Sequence, residues 1–219
     1  MVSTKLVSSD VNEIESKLKT FGGDMVRIEF LENCLKQLIP NDAKRFCHLK
    51  LADMYAYKLM WGLAGKNMEA AADCATTYGD KINFYIKEIA FLIKIGDYLM
   101  IDKAFKKAMM CSRTIQEKES VKTKIKEMMF SQAKDYESRN KRSNAAQIYE
   151  RLLEMPITND EERKQLIEKL GALNSKLGKI REAMRYETMA KRPLEPRKSQ
   201  DADSGVRKVS FEDLGIDSV

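Results

Sequence analysis

Cys47 and His48 are the one place where this chain sets a thiol beside an imidazole, and His48 is its single histidine. A thiol and a base must meet in space to make a nucleophile. Neighbours on a helix point about 100° apart, so the pair reads as two separate helix positions. The other cysteines are Cys34, Cys74 and Cys111, and successive spacings of 13, 27 and 37 leave no close pair. That spacing suits neither a metal site nor a disulfide framework. It predicts four free thiols, buried or partly buried as small apolar residues. Glu161 and Glu162 follow Asp160 at a predicted helix start, where acidic groups favour the helix dipole rather than acid–base work. There is no glycine-rich phosphate loop and no nucleophile elbow. The sequence therefore predicts no catalytic residue, no metal and no cofactor: a non-enzymatic protein.

Composition bounds the remainder. The 219 residues include 39 Lys and Arg against 33 Asp and Glu, a net charge of +6, and 43% are apolar. This is enough to bury one sizeable core. No apolar run reaches the roughly 18 residues of a membrane span, and the start, MVSTKLVSSDVNEIES, lacks the apolar stretch of a secretory signal. Free thiols and the absence of an Asn-x-Ser/Thr acceptor predict a reducing, cytoplasmic setting. The charge excess is modest and unclustered. Its most basic stretch, Lys103–Lys107, interleaves Ala and Phe at helical spacing, as a solvated helix face does. Nucleic acid is a weaker expectation than a protein partner.

The elements that must carry any site are helices. Apolar residues recur with helical period, punctuated by short breaks. Asp10–Glu13 opens a helix that Phe21-Gly22-Gly23 closes, and Asp24 opens a second that Pro40-Asn41-Asp42 breaks. A third is expected over about 43–64 and a fourth over 68–77, divided by a turn at Gly65-Lys66-Asn67. Gly79-Asp80 opens the fifth, Tyr98–Cys111 is the sixth, and a long seventh covers about 116–139. The eighth spans 143–155, the ninth runs from an Asp160 cap to Gly178, and the tenth covers 180–191. The short connections between them are those of antiparallel neighbours.

The helices pair. Four units align on turns at Gly65, Gly96, Asn140 and Gly178, residue types that tolerate a left-handed backbone, with loose spacings of 31, 44 and 38. A small residue follows each turn: Ala70, Ala104, Ala145 and Ala183. Ala133, Tyr136, Asn140, Ala145, Tyr149 and Pro156 carry the pattern best, and Gly171, Gly178, Ala183, Ala190 and Pro193 repeat it. Trp61, Gly65, Ala70 and Cys74 give a first unit; the second is out of step by about three residues between Gly96 and Ala104. This arrangement resembles the tetratricopeptide-repeat family, or more broadly the soluble NSF-attachment-protein type of helical repeat, over roughly 150 residues. The expected fold is all-α, an antiparallel helical-hairpin solenoid over residues 10–192, behind a flexible N-terminus (1–9) and ahead of a flexible, disordered C-terminal tail (193–219). Residues 10–39 would form a degenerate capping pair. Each hairpin alone has too little core, and stacking supplies it.

By that resemblance, the first helix of each pair lines a concave groove at Tyr55, Leu59, Ile86, Ala90, Phe130, Lys134, Glu137, Glu168 and Ala172. The implied function is that of an adaptor or scaffold which holds a peptide or amphipathic helix of another protein. Lys134 is the only basic member, which speaks against the basic clamp that the family uses for chaperone tails. A helical-repeat RNA-binding protein is the alternative, with Lys134, Arg142, Lys176 and Arg181 as its few phosphate contacts. The tail adds a third possibility. Lys208-Val209-Ser210-Phe211 resembles the short docking motif for protein phosphatase 1, with Val209 and Phe211 filling pockets and Ser210 open to phosphorylation. The other reading is that Val209, Phe211, Leu214 and Ile216 dock on the last helix pair, or on another copy's groove. The sequence leaves the oligomeric state and the partner open.

Overall fold

The computed structural model describes residues 10–191, and every element among them is an α-helix. The ten helices are α1 (Val11–Thr20), α2 (Asp24–Leu35), α3 (Asn41–Tyr57), α4 (Trp61–Asp73), α5 (Tyr78–Ile95), α6 (Tyr98–Cys111), α7 (Ile115–Ser138), α8 (Arg142–Glu154), α9 (Asp160–Lys176) and α10 (Ile180–Ala190). No helix among the described residues is long and apolar enough to cross a membrane. The core runs along the stack. Ile14, Phe30, Leu31, Cys34, Cys47 and Leu51 join α1 to α3, and Ile89, Ile101, Ile125, Met129, Tyr149 and Leu170 continue from α5 to α9.

From α3 onward the chain forms four hairpins, and their turns are the same structure four times. One residue in each has positive φ: Leu59 (59°), Gly96 (75°), Asn140 (60°) and Gly178 (74°). The N–H of the following residue donates to the carbonyl five back: Met60 to Tyr55, Asp97 to Leu92, Lys141 to Tyr136 and Lys179 to Asn174. The N–H of the left-handed residue itself donates to Ala56, Ile93, Glu137 and Ser175. This pair of bonds is the Schellman closure of a helix C-terminus. Met60, Asp97, Lys141 and Lys179 then share φ near −85° and ψ between 58° and 78°, which launches the second helix in one direction. Five residues beyond each left-handed residue stand Ala64, Ile101, Ala145 and Ala183, all buried against the first helix.

The first turn is therefore at Leu59, not at the expected Gly65. Gly65 lies inside α4, where its Cα faces Leu92 and Glu88 of α5; a Cβ there would meet them at 3.8–3.9 Å. The helix expected over 43–64 is broken by this turn into α3 and the start of α4, the one expected over 68–77 is the rest of α4 and ends at Asp73, and the small residue of the first hairpin is Ala64, not Ala70. In the second hairpin Ile101 takes the position that the sequence pattern assigned to Ala104, which removes the apparent three-residue slip. Similarly, the cap of α9 is Asn159, whose side chain accepts from Glu162 N–H while Glu162 accepts from Asn159 N–H; Asp160 is the first helical residue.

With the turn at Leu59, only the interval from Gly96 to Asn140 stands out as long. The first helices explain it. Asn41 precedes Leu59 by the same length of chain as Tyr78 precedes Gly96 and Asp160 precedes Gly178, so α3, α5 and α9 begin in register. Ile115, the start of α7, lies further ahead of Asn140. The long interval is thus a two-turn extension of α7, about 10 Å of helix. It is nucleated by a capping box between Thr114 and Glu117. Leucine at positive φ costs on the order of 1 kcal/mol because its Cβ crowds the carbonyl. Leu59 is 69% exposed, so its side chain returns little. Leu59→Gly should raise stability by about 0.5–1 kcal/mol in a urea titration, while Gly178→Ala should lower it by a similar amount.

Candidate functional site

Polar contacts between successive hairpins fix which faces are shared and which are free. First helices are tied side by side: Arg45 of α3 reaches Asp80 of α5 at 3.9 Å, and Lys126 of α7 reaches Glu162 of α9 at 2.7 Å. These two pairs occupy the same register. Arg45 and Lys126 stand equally far ahead of Leu59 and Asn140, and Asp80 and Glu162 equally far ahead of Gly96 and Gly178. Lys169 of α9 binds Glu137 of α7 at 3.3 Å. Second helices are tied likewise: Lys107 of α6 to Glu69 of α4, Arg151 of α8 to Asp102 of α6, and the Tyr186 hydroxyl of α10 to Glu150 of α8 at 3.3 Å. Trp61, just past the first turn, stacks on Phe91 of α5 at 5.9 Å, with Lys94 Nζ 3.9 Å above its ring. The hairpins are stacked in one direction with a constant offset.

In that register the expected groove residues sort cleanly. Ile86, Phe130 and Glu168 stand ten residues before their turns, and Ala90, Lys134 and Ala172 six before. All six lie on equivalent faces of α5, α7 and α9. Tyr55 and Leu59 do not. Tyr55 is buried beneath α2, and its hydroxyl donates to Glu32 Oε1 at 2.6 Å. Burial and that carboxylate push its pKa up to about 12. Leu59 is the turn itself. Misplacing the turn by six residues carries both assignments with it; the equivalents on α3 are Leu49 and Asp53, which the sequence pattern does not reveal.

Shallow grooves lie along α5, α7 and α9. Ala90, Ile93 and Lys94 of α5 face Glu127, Met128, Ser131 and Gln132 of α7 across about 370 Å³. Between α7 and α9, Glu137, Asn140, Arg142, Lys169, Ala172 and Lys176 enclose about 350 Å³. Here the expected Glu137 is already paired with Lys169, and Lys169 also donates to the Tyr149 hydroxyl at 3.0 Å. Phe130 is half-buried against Tyr149, with ring centroids 6.2 Å apart, so it belongs partly to the hairpin junction. Glu168 and Ala172 line a third groove of about 740 Å³ on the last hairpin, with Ile167, Lys176, Tyr186 and Glu187.

The other candidate chemistry disperses. Cys47 points into the core, and its thiol shares a hydrogen bond with Cys34, which lowers the pKa of Cys34 and raises that of Cys47. His48 turns the other way, with Nδ1 2.9 Å from Asn67 Oδ1 of α4. Cys74 and Cys111 are half-buried free thiols. Glu162 is used by its capping box and by Lys126. Among the described residues no group of three or more His, Cys, Asp or Glu could hold a metal ion. Lys208, Val209, Ser210 and Phe211 lie outside the described residues.

The class these features define is an all-α stack of helical hairpins, compatible with a helical-repeat protein. No protein-family model matches the chain, and no curated protein matches it significantly.

Proposed function

We propose that this chain is a tetratricopeptide-like, non-enzymatic adaptor that holds an extended peptide or amphipathic helix of another protein across its first helices. One observation carries this: Ile86, Phe130 and Glu168, and Ala90, Lys134 and Ala172, recur at identical distances from identical turns, so α5, α7 and α9 present one repeating face. A repeating face of parallel helices gives a linear ligand equivalent contacts at regular intervals. The mixed lining at the α5–α7 groove, with apolar Ala90 and Met128 beside Lys94, Glu127 and Gln132, suits a ligand with apolar anchors and polar flanks. The four thiols suit a reducing, cytoplasmic setting.

The test is affinity capture from native extract followed by mass spectrometry. Ala90→Glu with Ser131→Glu introduces two carboxylates into the α5–α7 groove at positions that do not carry the core. Captured partners should fall at least tenfold relative to wild type, whereas Met110→Asp, on the exposed side of α6, should leave them unchanged. An unaltered set of partners from the groove variant overturns the assignment.

A further inference from the structure

Every hairpin but the last has its outward face covered by the next first helix. In the first hairpin, Trp61 and Gly65 stand two and six residues past the turn, and α5 covers both through Phe91, Glu88 and Leu92. In the third, Ala146 holds the latter position and is buried, and α9 lies against α8. In the fourth, those two positions are Ile180 and Met184, and they are 65% and 62% exposed. The same helix face runs on through Glu187 and Lys191 into the groove of about 740 Å³, whose floor is Ile167, Gly171, Ala172 and Tyr186. In the third hairpin the equivalents of Glu168 and Glu187 are Phe130 and Tyr149, and there the covering helix supplies Lys169 to Tyr149 and Glu137. The terminal face therefore offers apolar side chains that no further helix covers among the described residues, and two carboxylates where the covered hairpin has two aromatic rings.

We infer that the chain's own residues 206–216 occupy this face, acting as the cover that the last hairpin lacks. The chain leaves α10 at the mouth of this groove, since Lys191 is one of its lining residues, and it continues from there to Val219. The stretch 192–205 spans up to about 45 Å when extended, several times what is needed to return along α10, a helix of about 16 Å. Val206, Val209, Phe211, Leu214 and Ile216 are apolar, the cations Arg207 and Lys208 stand between Val206 and Val209, and the anions Glu212 and Asp213 between Phe211 and Leu214. Each of these finds a counterpart on the face: exposed Ile180 and Met184, carboxylates at Glu168 and Glu187, and ammonium groups at Lys176 and Lys191. Apolar burial supplies the attraction and the paired charges set the register. Phosphorylation of Ser210, beside Glu212, would place added negative charge against Glu168 and Glu187 and release the segment. The inference shares Glu168 and Ala172 with the proposed adaptor face, but its experiment reads α9 and α10, whereas the adaptor test reads the α5–α7 groove, so the two can fail separately.

A photo-crosslinking residue, p-benzoylphenylalanine, in place of Phe211 of the full chain tests it directly. Crosslinked peptides should map to α9 and α10 within a single chain. Hydrogen exchange gives the second readout: Phe211→Asp with Leu214→Asp should speed amide exchange in residues 180–190 at least tenfold, and leave α3–α6 unchanged. Crosslinks that map elsewhere, or unchanged exchange in α10, overturn the inference. Crosslinked dimers whose yield rises with protein concentration also overturn it, because they would place the segment on a second copy.

Discussion

Glu88→Gln should stabilise this protein strongly at pH 8.5 and almost not at all at pH 4. Glu88 is 2% exposed, and its Oε2 has no hydrogen-bond partner among the described residues. It stands eight residues before its turn, where the other hairpins place Leu51, Gln132 and Leu170. Burial pushes its pKa up to about 8; Glu69 and Asp73 of α4 add to the rise, and Lys107 of α6, already tied to Glu69, opposes it. An unfolded chain holds this carboxyl near its ordinary 4.5. Between these values the folded state keeps a proton that the unfolded state has released, so stability falls as pH rises. The loss begins near pH 4.5 and is complete once the pH passes about 8. Its size is on the order of a few kcal/mol. The neutral amide has no such dependence. Urea titrations of both proteins from pH 4 to 9 should therefore diverge through this window, with the variant ahead at the alkaline end by about 2–4 kcal/mol. A difference that is constant with pH would show that folding leaves the pKa of Glu88 at its ordinary value.

The second large effect is expected at the junction of the third and fourth hairpins. Tyr149 of α8 is fully buried, with Phe130 of α7 against its ring and Lys169 of α9 on its hydroxyl. It thus contacts both helices of the junction. Tyr149→Ala should cost about 3–5 kcal/mol, from lost transfer energy and the cavity left behind. The hydroxyl is a smaller part. Tyr149→Phe removes one hydrogen bond but leaves Lys169 its Glu137 partner, and should cost about 1 kcal/mol. Because a stacked array couples only neighbours, the alanine variant should lose α9 and α10 first. Hydrogen exchange would then show these two helices opening at denaturant concentrations where α3–α6 stay protected. Loss of all helices together would mean that the hairpins are more strongly coupled than the stack implies.

Fold and groove differ in how far the sequence reveals them. Ten helices, their order and most of their ends follow from apolar period and punctuation, and α6 matches its predicted span to the residue. The turns at Gly96, Asn140 and Gly178 are visible because these residue types favour a left-handed backbone. The turn at Leu59 is not, since leucine gives no such signal, and Gly65 six residues later offers a false one. That glycine serves close helix packing instead, against Glu88 and Leu92. The same displacement puts Tyr55 into an expected groove when it lies under α2. Ile86, Ala90, Lys134 and Ala172 fall at equivalent helix positions because the turns that follow them are marked by glycine or asparagine.

Local chemistry in the chain was enough to determine that it is helical, that its helices pair, and where three of four pairs reverse; period and backbone preference act over a few residues. Only the tertiary structure decided the register. Whether Leu59 or Gly65 closes a hairpin, whether α7 gains two turns, and whether Glu88 meets water or Gly65 are settled by packing against helices far along the chain. Burial energy depends on which surfaces meet, and that is a property of the stack and not of any single segment.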